Sequence, residues 1–517
     1  MATIQQYFSI GSSTSAKWLN DDEFVYLSTK SGVNQIWKKT LSTGKEEQLT
    51  FFGERVWSVH VSDGRIFFTM DLGGNEQEQI YRLDQGSEPV NLTDNNAARH
   101  QFGGIKPDHK TVVFACNARD PKSFDLCQMD SETKEQVILL QNTDSYNTPA
   151  ALSPDGRYLL YNKLKGQSDN CLWMLDIQTG QAQNIDTTWK KDSSGFFFLT
   201  DKDSEYKYLA YYDLKEQKFQ KIYGENWDIE DAELSSDDKY LAVKINRDGY
   251  SALEIYNLEK GVFENLPSLP KGMMGYYGSS WAPNSHKLLV TLTSGQRPAD
   301  IWMLDVDNEK VERVTFIDLQ GLNKEDMVEP QLCHFTSFDG LTVPYWLYKG
   351  SNSSHSKAGV IEVHGGPEGQ ERPTFSPMLQ YLLNEGLTIV APNVRGSIGY
   401  GKTYHHLDDI EKRLDSVHDA ACLAEHLVQT GIADKDKIAI MGASYGGYMT
   451  LSCVTRYPDL WAAGVDSVGM SNLETFLENT ADYRRSHRES EYGSLEHHRQ
   501  ILHDVSPIHK VDQITAA

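Results

Sequence analysis

A serine between two glycines marks the point where an apolar run gives way to an amphipathic one. Residues 442–446 read Gly-Ala-Ser-Tyr-Gly, with a buried strand expected before them at 438–441 and a helix after them at 449–457. In this strand–turn–helix context the serine stands on a strained turn with its hydroxyl clear of the sheet. The two glycines are expected because neighbouring chain passes close to the turn. We therefore predict Ser444 as the nucleophile of an acyl-transfer reaction.

Two backbone N–H groups are expected to face the reacting oxygen. The helix that follows Ser444 points its N-terminal N–H groups towards that oxygen, and the first of them belongs to Tyr445. Upstream, a strand at 360–363 runs into a His-Gly-Gly-Pro loop at 364–367. A glycine-rich loop after an early strand of such a sheet supplies a second donor, which we assign to Gly366. An ordinary tight turn is the alternative for this loop.

A further loop is expected at the same edge of the sheet. Residues 393–401 read Asn-Val-Arg-Gly-Ser-Ile-Gly-Tyr-Gly and follow the carboxyl end of a strand, the edge where sites form. Arg395 could either steady the neighbouring loops or touch a substrate. The sequence favours neither role, so we assign no catalytic function to Arg395.

The first three-fifths of the chain repeats a pattern of short strands. Apolar or aromatic runs end in an acidic residue at Asp84, Asp130, Asp176, Asp213, Glu259 and Asp305. The intervals are 46, 46, 37, 46 and 46 residues, and an earlier copy lies at 36–37. Four short strands per interval, joined by turns, predict a β-propeller, and seven units predict seven blades. The alternative is an irregular β-sandwich with coincidental spacing.

Beyond residue 331 the pattern changes. After an antiparallel stretch at 335–348, strands and helices alternate, with strands expected at 360–363, 387–392 and 438–441 and helices at 378–385 and 414–431. Such alternation predicts a parallel sheet with helices on both faces, as in an α/β-hydrolase domain. We therefore divide the chain into an N-terminal segment (1–18), an all-β propeller (19–325) and an α/β-hydrolase domain (326–517).

Composition narrows the range of partners. The formal net charge of −24 argues against nucleic acid as a partner. No stretch approaches the roughly 20 apolar residues of a membrane span, and residues 1–10 lack the features of a secretory signal. The six cysteines stand singly, without zinc-site spacing, so we expect reduced thiols, a cytoplasmic location, and no metal or cofactor. The sequence does not set the oligomeric state.

Three motifs together resemble the prolyl oligopeptidase family, most closely its acylaminoacyl-peptidase-like branch. They are His-Gly-Gly-Pro at 364–367, Asn-x-Arg-Gly-Ser-x-Gly-Tyr-Gly at 393–401 and Gly-x-Ser-Tyr-Gly-Gly-Tyr at 442–448. The resemblance covers nearly the whole chain, because the family carries a propeller before its hydrolase domain. It implies a serine peptidase that hydrolyses short peptides through an acyl-enzyme, while the propeller screens the site from folded proteins.

The sequence departs from the family after the strand expected at 462–468. In this fold the catalytic acid and histidine follow the serine, and the resemblance implies a His-Gly-x-x-Asp loop that does not occur here. The later acids and histidines are expected at the surface: Asp466, Asp482, Asp504, Asp512, His487, His497, His498, His503 and His509. We therefore expect a C-terminally truncated chain with an exposed strand edge. Without a base for its serine, it should have little or no activity.

Two other functions stay open from the sequence. An esterase or other acyl hydrolase could use the same serine turn, because fold and nucleophile do not set the substrate. A propeller-based binding protein with a non-catalytic hydrolase domain would also explain the missing triad motifs.

Overall fold

The computed structural model describes residues 2–142, 146–164, 170–184, 192–275, 279–350 and 357–517. Its first 28 strands form seven antiparallel sheets in chain order, which are the seven blades of a β-propeller. The first blade contains β1 (Ser13–Trp18), β2 (Glu23–Ser28), β3 (Gln35–Thr40) and β4 (Glu46–Gln48). The second contains β5 (Val56–Ser62), β6 (Arg65–Met70), β7 (Gln79–Leu83) and β8 (Val90–Asn91). The third contains β9 (His100–Ile105), β10 (Thr111–Cys116), β11 (Asp125–Asp130) and β12 (Gln136–Leu140).

The remaining four blades follow in the same way. The fourth contains β13 (Tyr146–Leu152), β14 (Tyr158–Leu164), β15 (Asn170–Asp176) and β16 (Ala182–Asn184). The fifth has three strands among the described residues, β17 (Gly195–Thr200), β18 (Tyr208–Asp213) and β19 (Lys218–Tyr223). The sixth contains β20 (Ile229–Leu234), β21 (Tyr240–Arg247), β22 (Tyr250–Asn257) and β23 (Val262–Phe263). The seventh contains β24 (Met273–Met274), β25 (Ser280–Trp281), β26 (Lys287–Ser294), β27 (Arg297–Asp305) and β28 (Lys310–Arg313).

The acidic residue of the repeat has a structural role at the end of a strand. Asp130 closes β11, and its Oδ1 accepts hydrogen bonds from the backbone N–H groups of Glu132 (2.8 Å) and Thr133 (2.9 Å). Asp213 closes β18 and accepts the same pair of bonds from residues 215 and 216. A carboxylate that bonds the backbone two and three residues onwards stabilises a tight turn. In these blades the repeated acid therefore stabilises the turn that joins the last two strands, whereas in the sixth blade Asn257 accepts the corresponding bonds in place of Glu259.

The ring closes through side chains of its first and last blades, which share no strand. The indole N–H of Trp18 donates to the Ser280 carbonyl (2.9 Å), and the Ser15 N–H donates to the Thr291 hydroxyl (3.1 Å). The first strand begins at Ser13, upstream of the boundary at residue 19 expected from the sequence. That strand reads Ser-Thr-Ser-Ala-Lys-Trp and lacks the apolar run by which the other strands were recognised.

The second part of the chain forms one six-stranded sheet in the order β29-β30-β32-β31-β33-β34. Its strands are β29 (Gln331–Thr336), β30 (Thr342–Lys349), β31 (Gly359–Val363), β32 (Thr388–Pro392), β33 (Ile438–Ala443) and β34 (Ala463–Ser467). Strands β32, β31, β33 and β34 run parallel, and β29 and β30 are antiparallel. At the β34 edge, Val465 is 59% exposed and Val468 is 85% exposed.

Helices cover both faces of this sheet, as the sequence predicts. The α-helices of the described residues are α1 (Ile4–Phe8), α2 (Pro377–Asn384), α3 (Lys402–His405), α4 (Arg413–Gln429), α5 (Tyr445–Arg456), α6 (Leu473–Asn479), α7 (Asp482–Tyr492) and α8 (Arg499–Val505). Single turns of 3₁₀ helix lie at Lys324–Asp326, His406–Asp408, Ile410–Lys412, Lys435–Lys437 and Pro458–Leu460, and a longer one at Pro507–Gln513. Leu383 of α2 packs with Ile389 on one face, and Leu423 of α4 packs with Val390 on the other. Neighbouring residues of a strand point to opposite faces, so β32 supplies both cores.

No helix in the described ranges combines the length and the apolar content that crossing a bilayer requires.

The propeller contacts the loop that follows β31. Arg372 in this loop is 4% exposed and points into the sixth blade. Its guanidinium donates to the Gly249 carbonyl (2.8 Å), a Glu230 carboxylate oxygen (2.7 Å) and the Ser251 hydroxyl (2.9 Å). A buried arginine with its donors satisfied fixes one domain against the other.

Candidate active site

Ser444 lies between β33 and α5, at the carboxyl ends of the parallel strands. Its backbone has φ +57° and ψ −116°, which is costly for a residue with a side chain. Two hydrogen bonds hold this conformation: the Ser444 N–H donates to the Ser467 carbonyl (3.0 Å), and the Tyr448 N–H donates to the Ser444 carbonyl (3.0 Å). The side chain of Ser444 is exposed. The expected helix start at 449 is too late, because α5 begins at Tyr445 directly after the turn.

The glycines around Ser444 are required by close backbone contacts. A Cβ on Gly446 would lie 2.0 Å from the Val363 carbonyl oxygen at the end of β31. A Cβ on Gly442 would lie 2.4 Å from the carbonyl carbon of Gly446. Real Cβ atoms do not approach so closely, so the reason given for these glycines from the sequence is confirmed.

The structure brings both predicted N–H donors beside the serine. Tyr445 is the first residue of α5, so its N–H has no acceptor within the helix. Gly366 lines the same cleft as Ser444, and a Cβ on the preceding Gly365 would lie 3.7 Å from the Ser444 Cβ. The φ of Gly366 is +147°, a conformation that favours glycine. This placement allows the two donors to serve one oxyanion, and their assignment stays a prediction.

His364 joins the two glycine-rich loops. Its Nδ1 lies 2.8 Å from the Gly365 carbonyl oxygen, and its Nε2 lies 2.9 Å from the Ser397 hydroxyl. Burial lowers the pKa of His364, which favours the neutral ring. Both ring nitrogens are therefore occupied by loop contacts, and neither contacts Ser444.

The acids and histidines downstream of Ser444 have other partners. The Asp466 carboxylate accepts the Gly469 N–H (2.9 Å), and His498 accepts the Ser494 N–H (3.0 Å). Exposed positions are occupied by His497, His503, Asp504, His509 and Asp512. The side chains of Asp482 and His487 lie outside the described residues. Among the histidines whose contacts the structure describes, none hydrogen-bonds to the Ser444 hydroxyl.

Arg395 steadies loops. Its guanidinium is 4% exposed and forms ion pairs with Asp419 (2.8 Å) and Asp339 (2.9 Å). It also lies over the ring of Phe338, with 4.6 Å between the guanidinium carbon and the ring centre. Of the two roles that the sequence leaves open, the contacts support the structural one.

A buried charged network lies beneath the serine turn, and no motif in the sequence predicts it. The Tyr445 hydroxyl donates to Asp408 (3.0 Å), and Arg413 forms ion pairs with both Asp408 and Glu491. Burial raises the pKa of Asp408, and the Arg413 guanidinium opposes that rise. Carboxylate oxygens of Asp408, Asp409 and Glu491 lie within 4.8 Å of one another, which would be close enough to hold a cation. Arg413 already supplies the positive charge, so we interpret the group as an ion-pair network.

A cleft of about 580 Å³ opens beside the serine. Its wall includes Gly366, Ser444, Val468, Phe476, Arg488 and Tyr492. Close by, burial and the charge of Glu491 raise the pKa of Glu368 to about 7. The Glu368 Oε1 is buried and has no hydrogen-bond partner among the described residues.

Comparison with protein families gives two matches along the chain. Residues 373–517 match the model of the prolyl oligopeptidase family, and residues 125–316 match the model of the prolyl oligopeptidase N-terminal beta-propeller domain. The two matches lie in the hydrolase sheet region and in the propeller, respectively.

Curated relatives align with almost the whole chain. "Dipeptidyl peptidase family member 6" of Caenorhabditis elegans is 24% identical, and the alignment covers 94% of this chain and 73% of the relative. "Dipeptidyl aminopeptidase BIII" of Pseudoxanthomonas mexicana is also 24% identical, with 95% and 69% covered. The solved structure of a puromycin-hydrolyzing peptidase from Mycobacterium tuberculosis has a TM-score of 0.86 at 18% identity, over 100% of this chain and 86% of its own. This last likeness shows the common fold.

Proposed function

Because the chain belongs to the prolyl oligopeptidase family of serine peptidases, we propose that it hydrolyses short peptides through an acyl-enzyme on Ser444. One observation carries the proposal: an exposed serine on a strained turn, at a helix N-terminus and beside a glycine loop. The Ser444 oxygen attacks the scissile carbonyl carbon, and the Tyr445 and Gly366 N–H groups donate to the developing oxyanion. The amine then leaves with a proton, and water hydrolyses the ester.

The first step needs a group that accepts the serine proton. His364 is held between Gly365 and Ser397, and the other histidines with described contacts do not reach Ser444. We therefore propose that residues 1–517 by themselves react slowly. Loss of the base leaves only binding and oxyanion effects, which lowers rates by orders of magnitude.

The propeller limits the substrates to short peptides. Its sixth blade holds the loop that continues from Gly366 through three hydrogen bonds of Arg372. The docked propeller would restrict access to the neighbouring Ser444 cleft, so that a flexible peptide enters it and a folded protein does not. The names of the relatives, which include prolyl endopeptidases and dipeptidyl peptidases, support peptides as the substrate class.

A reducing, cytoplasmic location is consistent with cysteines that form no disulfide bond among the described residues. Cys116, Cys127, Cys333, Cys422 and Cys453 are free, and the Cys171 side chain lies outside the described residues. Fractionation of the native cells tests this location, and recovery in the secreted fraction would contradict it.

Reaction with a fluorophosphonate probe tests the nucleophile. We expect slow labelling of the chain and no labelling of Ser444→Ala. The chain should likewise hydrolyse a small ester and an aminoacyl amide slowly, and Ser444→Ala should hydrolyse neither. Labelling that survives in Ser444→Ala would overturn the proposal. A second candidate function is a propeller-based binding protein, since no histidine contacts Ser444 among the described residues. No labelling of either chain would favour this second candidate. Faster turnover of simple esters than of peptides would instead indicate an esterase.

A further inference from the structure

The cleft beside Ser444 has the opposite charge to the protein as a whole. The chain carries a net charge of −24, but the described cleft wall contains Arg484 and Arg488 and no aspartate or glutamate. Positive side chains in a concave, partly desolvated site attract anions. The charge of the cleft therefore selects for a negative group on whatever occupies it.

Arg488 and Tyr492 of α7 both line this wall, together with the polar side chains of Ser471, Asn472, Thr475, Asn479 and Thr480. Arg488 and Tyr492 are four residues apart, so they lie on the same face of the helix one turn from each other. Arg488 forms no ion pair within 4.0 Å among the described residues. Tyr492 is 2% exposed, and its hydroxyl is buried without a hydrogen-bond partner in the same set of residues. A buried hydroxyl that lacks a partner is costly unless a ligand supplies one.

The carboxyl group of Glu368 interacts electrostatically with Arg488, but the two side chains do not approach to ion-pair distance. Burial raises the pKa of Glu368 to about 7, so a fraction of these carboxyl groups is neutral near pH 7. The Arg488 guanidinium is always charged, and Glu368 therefore does not compensate it fully.

Part of the wall is apolar and suits the carbon chain of a substrate. The rings of Phe476 and Tyr492 pack edge to face with 5.7 Å between their centres. Val468 and Met470 line the same cleft. Apolar side chains and an arginine in one cleft match an acidic amino acid, whose methylene groups precede its carboxylate.

We propose that Arg488 and Tyr492 bind a carboxylate of the substrate, so that the cleft selects peptides with an acidic group next to the bond that is cut. The inference deepens the proposed function, because it assigns the substrate class of the Ser444 site. The guanidinium supplies a paired charge and the phenol a hydrogen bond. The carboxylate can be the side chain of an aspartate or glutamate, or the C-terminus of a short peptide.

Binding to the Ser444→Ala chain, which cannot be acylated at this position, tests the proposal. Dissociation constants would be measured by calorimetry for N-acetyl-Ala-Glu-Ala-amide, for its Gln counterpart, and for the Gln peptide with a free C-terminal carboxylate. We expect at least one carboxylate peptide to bind about tenfold tighter than the neutral peptide. A preference of the Glu peptide identifies a side-chain carboxylate, and a preference of the free-acid peptide identifies the C-terminus.

Variants of the wall decide whether Arg488 causes the preference. Arg488→Gln should abolish it, Arg488→Lys should retain part of it, and Tyr492→Phe should reduce it. Arg499→Gln is the matched control, because Arg499 is 54% exposed and pairs with Glu474 and Glu478 outside the cleft. Equal binding of all three peptides, no measurable binding, or a preference that survives Arg488→Gln would overturn the proposal. Hydrolysis is not measured, so this result and the result of Ser444 labelling can fail independently.

Discussion

Arg413 is a single residue whose charge stabilises the base of the serine turn. It is 1% exposed and compensates the buried carboxylates of Asp408 and Glu491. Removing one member of a buried ion pair leaves the partner uncompensated, which costs about 3–5 kcal/mol. We therefore expect Arg413→Met to lower the free energy of unfolding by about this amount, as measured by urea denaturation.

Arg65→Met is the control for this measurement. Arg65 is 34% exposed and pairs with Glu132 at 3.2 Å on the surface of the propeller. An exposed ion pair contributes about 0–1 kcal/mol, so Arg65→Met should lower the free energy of unfolding by no more than about 1 kcal/mol. Equal losses in the two variants would show that the buried network does not stabilise the fold.

Glu368 makes stability depend on pH. Burial and the charge of Glu491 raise its pKa to about 7, whereas in the unfolded chain the pKa is about 4.3. Between these values the folded protein binds more protons than the unfolded chain, so this contribution to stability is present at pH 4 and is lost as the pH rises to 7. Glu368→Gln should match the parent at pH 4 and exceed it by up to about 3 kcal/mol at pH 8.

Urea unfolding at pH 4 and pH 8 measures this difference. Glu496→Gln serves as the control, because the Glu496 side chain is 83% exposed and its removal should not change the pH dependence. A Glu368→Gln chain whose stability falls with pH as steeply as that of the parent would rule out the assigned titration.

At the scale of elements, the contact between β31 and the first turn of α5 leaves no room for a methyl group at position 446. A Cβ at position 446 would lie 2.0 Å from the Val363 carbonyl oxygen, so Gly446→Ala must push the strand and the turn apart. We expect a loss of about 2–4 kcal/mol in urea denaturation and loss of any labelling of Ser444. A Cβ at Gly53 would meet nothing within 4 Å, and Gly53→Ala should change neither measurement. Full stability of Gly446→Ala would contradict the close packing of this turn.

The features that the sequence predicts are those formed by residues close together in the chain. Ser444 and its flanking glycines lie in one short segment, and the 46-residue interval reflects a turn that several blades repeat through residues such as Asp130 and Asp176. The sequence did not reveal groups assembled from distant segments. Arg413 meets Glu491 across 78 residues. The Tyr492 hydroxyl, which has no partner in the described part of the chain, becomes visible only when α7 is placed beside the cleft. The strand from Ser13 was missed because its polar residues carry no alternating pattern.

At the scale of the molecule, Arg372 couples the two domains. Its three hydrogen bonds cross from the loop after β31 to the sixth blade. Arg372→Met removes these bonds and leaves Glu230 without its partner. We expect the calorimetric unfolding transition of this variant to be broader than that of the parent, because one of the contacts through which the domains stabilise each other is lost.

Arg247→Met provides the comparison for the domain contact. Arg247 is 40% exposed and pairs with Glu225 and Glu254 within the propeller, so its loss should leave the shape of the transition unchanged. A thermogram of Arg372→Met that keeps the shape of the parent would show that other contacts couple the domains.

The junction between the first and last blades, here called the seam, is held by side-chain hydrogen bonds such as that from Trp18 to Ser280. Since every blade consists of consecutive strands and the first and last blades exchange none, no backbone ladder fixes where the circle begins. The ring is therefore suited to circular permutation: new termini could be opened between two neighbouring blades while a linker joins residue 517 to the start of the first blade, so that the hydrolase domain stays attached to the seventh blade. A permuted chain would carry a reporter group on a chosen side of the ring without adding it to the hydrolase sheet.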